Sequence, residues 1–200
     1  MIIGITGSLA TGTSTAAKYI ASSLKAEIID ADKVANIALK KNSPVYKSLI
    51  KGFGKDILNK NGTIDKSSLA RRAFSSRPNL KKLCDITHPF IIEAIRKQIS
   101  IIQGGTRERI AIVDGPLLIE SKFYKKCDII IVVISSLLLQ IERACNNRSI
   151  KENDALCRIQ HQMPLYKKVG YADYIIDNGG SLKELKQKCR KITKKIKKET

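Results

Sequence analysis

The sequence predicts an α/β protein, a three-layer arrangement in which helices cover a mostly parallel five-stranded sheet. Three observations lead there. Short apolar runs alternate with stretches of helical periodicity, the first run leads straight into a glycine-framed loop, and 43% hydrophobic content over 200 residues suffices to bury one real core.

The strands read in order as IIGIT (Ile2 to Thr6), EIID (Glu27 to Asp30), IAIVD (Ile110 to Asp114), DIIIVVI (Asp128 to Ile134) and DYIID (Asp173 to Asp177). Thr13 to Leu24 reads as a helix opened by the glycine loop, and Leu137 to Asn146 as another. The last segment sets Leu182, Leu185, Cys189, Ile192 and Ile196 at spacings of three and four, an apolar stripe with lysines elsewhere on the wheel. Between the second and third strands, residues 34–103 carry a helical pattern broken by GFG, NKNG and Pro89, with no strand. That is far longer than an ordinary crossover and predicts a helical subdomain. A second interruption, residues 147–169, is polar and helical, as mobile kinase lids are. No internal repeat is present. The core of the domain is thus 1–33, 104–146 and 170–200.

Thirty-seven Lys and Arg against eighteen Asp and Glu give a net charge of +19, a field attractive to anions in general. Nucleic acid is nevertheless not the expected partner. The densest run, KCRKITKKIKKET, is explained by a solvated helix face, and no aromatic-rich strand motif or zinc-finger spacing accompanies it. The five cysteines (Cys84, Cys127, Cys145, Cys157 and Cys189) are scattered and nowhere spaced C-x-x-C, which reads as reduced, mostly buried thiols. The opening run has no basic leader and no apolar stretch approaches ~20 residues, so neither secretion nor membrane spanning is expected, and a cytoplasmic location is.

The loop GSLATGTST carries the first chemistry. Gly7 and Gly12 stand at G-x-x-x-x-G spacing between a strand and a helix, where backbone N–H groups and the helix N-terminus converge on phosphate oxygens. Thr11, Gly12, Thr13, Ser14 and Thr15 supply those amides whatever their side chains, and Ser14 stands where a hydroxyl meets Mg²⁺. The stretch resembles the loop of a P-loop NTPase-type core, the alternative being an ordinary glycine-containing strand-to-helix turn, and it has one departure: the pattern places lysine after the second glycine, and Thr13 is there instead. The missing charge is one aimed at the β and γ phosphates. Its loss is worth about 3–4 kcal/mol, or roughly 100–1000-fold in rate, by analogy with deleting one preorganised donor.

In IIDADKVA, Asp30 and Asp32 put two carboxylates at the end of the second strand, the edge at which open α/β sheets bind ligands. One can accept a proton from a hydroxyl nucleophile, and Asp32 is assigned that role; the other use of an aspartate here is to cap the helix from Lys33. Asp114, ending the third strand, either holds Mg²⁺ or its water or serves as a buried cap.

Taken in order, GITGSLATG, IIDADKVA, the FG and NGTID strings of the middle region, ITHPFI, VDGPLLIES, QMPL and ADYIIDNGGSLKEL make the chain resemble dephospho-coenzyme A kinases from Met1 to about Lys195. Each string is weak alone, and the ordered set is specific. The resemblance implies transfer of phosphate from ATP, with Mg²⁺, to the ribose 3′-hydroxyl of dephospho-coenzyme A, the last step of coenzyme A biosynthesis. It implies a P-loop core with a helical acceptor-binding insertion (34–103) and a lid (147–169). Residue by residue, it makes Asp32 the general base and Ala10 through Thr15 the ATP loop, and it adds Arg143 and Arg148 as nucleotide-binding residues. Ser14 and Asp114 become the metal-binding pair. His88 of THP falls beside the acceptor without a catalytic role, and Arg72, with Arg71, meets the substrate's pyrophosphate or stays in solvent. The partner is then the small molecule dephospho-coenzyme A, and the chain a monomer or weak homo-oligomer.

Three positions depart from the family's pattern by being neutral: Thr13, Asn147 (with Arg148 displaced by one residue) and Tyr171. Arg148 is the candidate for compensation, because Lys18 points away from the loop amides. Two readings of function follow, an active kinase slowed by the missing charge and a degenerate, non-catalytic relative that binds nucleotide or coenzyme A species.

Overall fold

The computed structural model describes residues 1–104, 109–148 and 150–199, with Arg148 and Glu199 described by their backbone alone. Its strands β1 (Ile2–Thr6), β2 (Glu27–Asp30), β3 (Ala111–Asp114), β4 (Ile129–Ile134) and β5 (Tyr174–Asp177) form one sheet in the order β2-β3-β1-β4-β5. β1 pairs in parallel with both β3 and β4, and β4 with β5, in a register that sets Ile5 beside both Asp114 and Ile131. All five predicted strands are present, three of them starting one residue later than the apolar pattern suggests. Two of the displaced residues have a local use. Asp128 accepts the Ile2 N–H at 2.6 Å and Asp173 the Ile130 N–H at 2.7 Å, so each satisfies a donor of a neighbouring strand rather than extending its own.

Fully buried β-branched residues of the strands (Ile3, Ile5, Ile112, Ile131, Val133) meet Ala16, Ala17 and Ile20 of α1 (Thr13–Leu24) and the stripe of α9 (Leu182–Glu199). Leu185, Cys189, Ile192 and Ile196 of that stripe are buried as the spacing predicts. Leu182 is not: it is 60% exposed in the first turn and lines a pocket described below. The cysteines also differ from expectation, since only Cys189 is buried, Cys84, Cys127 and Cys145 are half-buried, and Cys157 is exposed.

The chain divides into two compact units, residues 1–29 with 99–200, and residues 30–98. The second is helical: α2 (Ala31–Ala38), α3 (Pro44–Phe53), α4 (Lys66–Ala73) and the first part of α5 (Arg77–Gln103). Its core is built on Val45, Leu49, Phe53, Ile57, Ile64 and Leu69. Side chains start three of these helices: Asp30 accepts from Lys33 N, Ser43 from Tyr46 N and Asp65 from Ser67 N. The NKNG stretch is a turn closed by a lone antiparallel bridge, Leu58 with Ile64. Pro89 does not break the pattern as expected, and lies inside the continuous 27-residue α5. A proline there removes one helical hydrogen bond at a cost of about 3 kcal/mol. Leu83 and Ile86 before it and Phe90 and Ile91 after it all pack on the same core, and that tertiary packing carries the helix through.

Among the described residues, no helix is long and apolar enough to cross a membrane.

Candidate active site

β1 ends at Thr6, and the chain turns through Gly7 to Gly12 into α1. β1 is also where the strand order reverses, with β3 on one side and β4 on the other, so a crevice opens at its carboxyl end. No side chain can replace either framing glycine without displacing its surroundings. A Cβ on Gly7 would stand 2.4 Å from Thr11 Oγ1 and 2.6 Å from the Val133 carbonyl oxygen; one on Gly12 would stand 2.3 Å from Asn178 Nδ2. Gly12 also has a φ of 96°, in the left-handed region that suits glycine. Ala10 adopts that region without being glycine (φ 56°), a strain of about 1–2 kcal/mol.

The Ala16 N–H donates to the Gly12 carbonyl at 3.0 Å. The amides of Thr13, Ser14 and Thr15 precede that bond and have no acceptor within the helix. No acidic residue occupies the first turn and no side chain caps it, so this positive helix end offers its donors to an outside anion.

These amides open on a pocket of about 390 Å³ lined by Gly12, Thr13 and Ser14 together with Arg143, Asn147 and Asn178, and closed by Gly180, Leu182 and Leu185. Arg143 comes from α6 (Leu137–Arg148), which is held against the loop by Ala144 packing with Leu9 and with Ala155 of α7 (Glu152–Gln160). Its Nη1 is buried and has no partner among the described residues. A buried guanidinium donor without an acceptor is costly, and the residue that carries it brings its positive charge to the wall of this pocket. Gln140, one turn earlier and 3% exposed, donates to the Ser135 carbonyl at 3.1 Å and fixes the start of the helix.

Three side chains from distant parts of the sequence hold the loop in shape. Asn178 Nδ2 donates to the Thr11 carbonyl at 2.9 Å. Gln162 Oε1 accepts from the Ser8 hydroxyl (2.9 Å) and the Leu9 N–H (3.1 Å). Lys168, on α8 (Leu165–Val169) and wholly buried, donates from Nζ to the carbonyls of Gly7 (2.9 Å) and Pro116, and pairs with Glu120 at 2.9 Å. Burial pushes the Lys168 ammonium below its ordinary range, and the Glu120 carboxylate pulls it back. Removing either partner of such a pair strands a buried charge, at a cost of roughly 3–5 kcal/mol.

A family model for dephospho-CoA kinase matches residues 1–184. The chain belongs to the dephospho-CoA kinase family. It is 37% identical to the dephospho-CoA kinase of Aquifex aeolicus over 97% of this chain and 96% of that one. With that of Carboxydothermus hydrogenoformans it shares 38% identity over 98% and 94%. The solved structure of the dephospho-CoA kinase from Campylobacter jejuni superposes with a TM-score of 0.69 at 30% identity, covering 98% of this chain and 97% of that one.

Of the residues that the dephospho-CoA kinase resemblance singled out, Ala10, Gly12, Thr13, Ser14, Thr15 and Arg143 line one pocket, and Asn147 stands among them. Thr11 is fully buried and braces the loop, its hydroxyl donating to the Ser8 carbonyl at 3.0 Å. Arg148 ends α6, and its side chain lies outside the described residues. Tyr171 packs edge-on against Tyr124, ring centroids 4.9 Å apart. Asp114 is the buried last residue of β3, one strand over from the loop. Asp30 is the cap of α2, its carboxylate 2.9 Å from Lys33 N, while Asp32 stands exposed in that helix's first turn.

In the helical unit, Arg72 donates to the Phe53 carbonyl and pairs with Asp56 at 2.5 Å, so it is engaged within the fold as well as lining a cavity of about 380 Å³ with Ser75 and Asn79. His88 is half-buried midway along α5. Lys168, Glu120, Gln162 and Asn178 went unrecognised in the sequence as loop supports. Glu120, Gln162 and Asn178 lie within the VDGPLLIES, QMPL and ADYIIDNGGSLKEL strings that carry the family resemblance, and that was the available signal.

Proposed function

We propose that this chain is an ATP-dependent dephospho-CoA kinase that phosphorylates the ribose 3′-hydroxyl of dephospho-coenzyme A. One observation carries the reading: Arg143 and the uncapped first turn of α1, free of acidic residues, line the same pocket of about 390 Å³, which suits a polyphosphate.

In this reading the amides of Thr13 to Thr15 and the Arg143 guanidinium hold the phosphates in line. Asp32 takes the proton as the acceptor hydroxyl oxygen bonds to the γ-phosphorus and the bond from that phosphorus to the bridging oxygen breaks, releasing ADP. Among the described residues no cluster of three or more His, Cys, Asp or Glu forms a metal cage. That suits Mg²⁺, which such sites hold through one or two side chains plus the phosphates themselves, here Ser14 and Asp114. When bound, the ion neutralises charge on the transferring group. Arg72 and His88 are assigned to the acceptor.

Thr13 favours a second reading, a relative that binds nucleotide or coenzyme A species without transfer, because it removes the charge aimed at the γ-phosphate. A coupled assay of ADP release separates the two. The kinase reading expects release that depends on dephospho-coenzyme A; binding of both ligands without acceptor-dependent release at high enzyme concentration would establish the second.

A further inference from the structure

The loop's own pattern lacks a lysine at position 13, yet a lysine lies fully buried beneath it. Lys168 uses its three ammonium donors on three acceptors from two segments: the Gly7 carbonyl at the loop entry, and the Pro116 carbonyl and Glu120 carboxylate in the connection after β3. Glu120 Oε1 also accepts the Met163 N–H at 2.9 Å, and Gln162 beside it holds the next two loop residues, Ser8 and Leu9. A short stretch from Gln162 to Lys168 therefore grips three consecutive residues of the loop from its inner side.

The peptide plane gives this grip a consequence for binding. In a trans peptide the C=O and the following N–H point in opposite directions, so drawing the Gly7 carbonyl towards the buried ammonium turns the Ser8 N–H away from it. Asn178 does the same at the other end, where its hold on the Thr11 carbonyl orients the Gly12 N–H. A neutral side chain at 168 lacks the three radially disposed donors, and a planar guanidinium has a different shape.

We propose that Lys168, keyed by Glu120, is a positioning residue that sets the phosphate loop for nucleotide binding. The proposal rests on the nucleotide-site reading above, and a test free of nucleotide keeps the two separable.

Three quantities are to be measured on the full-length parent, on Lys168→Met and on Lys168→Met/Glu120→Leu: thermal stability, ATP and dephospho-coenzyme A affinity by calorimetry, and nucleotide-free hydrogen exchange at Leu9 and Thr11. The single variant is expected to lose both stability and ATP affinity. The double variant regains part of that stability, because it strands no buried charge, although the Gly7 and Pro116 carbonyls and the Met163 N–H still lose their partners. It nonetheless binds ATP about tenfold or more weakly, the worth of one charge-assisted hydrogen bond, and exchanges Leu9 and Thr11 faster, with dephospho-coenzyme A affinity unchanged. A double variant with the parent's stability, ATP affinity and loop exchange overturns the proposal and reduces Lys168 to a structural ion pair. If Lys168→Met does not fold, Lys168→Gln, which keeps part of the donor set, reads the same quantities. If the parent itself fails to bind ATP, the kinase reading falls, and loop exchange alone decides the role of Lys168: unchanged exchange refutes it.

Discussion

Asn178 donates from Nδ2 to the Thr11 carbonyl across 2.9 Å, and the same nitrogen occupies the space that any side chain at Gly12 would need. Gly12→Ala must therefore displace the amide that orients the loop and also strain a φ of 96°. ATP binding is expected to disappear in calorimetry. Gly104→Ala is the control. Gly104 also has a positive φ (54°) but nothing within 4 Å of an added Cβ, so it should lose only about 1–2 kcal/mol of stability and keep its ATP affinity.

Two aspartates two residues apart separate by role. Asp30 caps α2 through Lys33 N, so Asp30→Ala should cost about 1 kcal/mol in denaturant unfolding while turnover persists. Asp32→Asn is expected to leave stability and ATP affinity alone and to lower kcat by roughly 10²–10⁴-fold, the range for removing a general base. Loss of turnover in Asp30→Ala at full stability, with Asp32→Asn active, would reverse the assignment.

The inner strands β1, β3 and β4 were legible because they are nearly continuous β-branched runs buried on both faces, while the edge strands β2 and β5 leave Ile28 and Ile175 exposed; the loop was legible because two glycines at fixed spacing leave few other uses. Pro89 misled for a physical reason: its local cost is certain, but the packing of Ile86 and Phe90 that overrides it is a property of the assembled unit. Leu182 fits its stripe by spacing and leaves the core only because the helix begins beside the pocket. Lys168 was illegible for a related reason. In a chain with 37 basic residues, one lysine in a polar segment resembles every other until the pairing of β1 with β3 brings its three acceptors together.

Thr13 and Arg143 test how the pocket manages charge. Thr13→Lys restores an ammonium beside the first-turn amides, and turnover should rise by as much as about 100–1000-fold if that charge limits the reaction. A variant no faster than the parent shows the limit to be elsewhere. Arg143→Met should weaken ATP binding by roughly 10–100-fold, the value of a desolvated charge-assisted hydrogen bond, without loss of thermal stability, because Nη1 forms no bond within the described fold.

The cysteines predict a pH dependence whose sign follows from burial. Burial, reinforced by the Asp128 charge, pushes the Cys127 thiol up to about 12, and burial pushes Cys189 up to about 11, against an ordinary value of 9.0. Only the thiolate is nucleophilic. With iodoacetamide at mildly alkaline pH, the exposed Cys157 should therefore be alkylated first, while Cys127 and Cys189 react only after denaturation. The same shifts bear on stability. Above the ordinary thiol value the unfolded chain releases protons that the native thiols retain, so their contribution is complete below that value and is lost as pH rises through the native values. Unfolding free energy should fall more steeply on the alkaline side in the parent than in Cys127→Ala/Cys189→Ala, as followed by denaturant titration. Equal slopes, or early alkylation of Cys189 in the native protein, would show that these thiols meet solvent in the folded state.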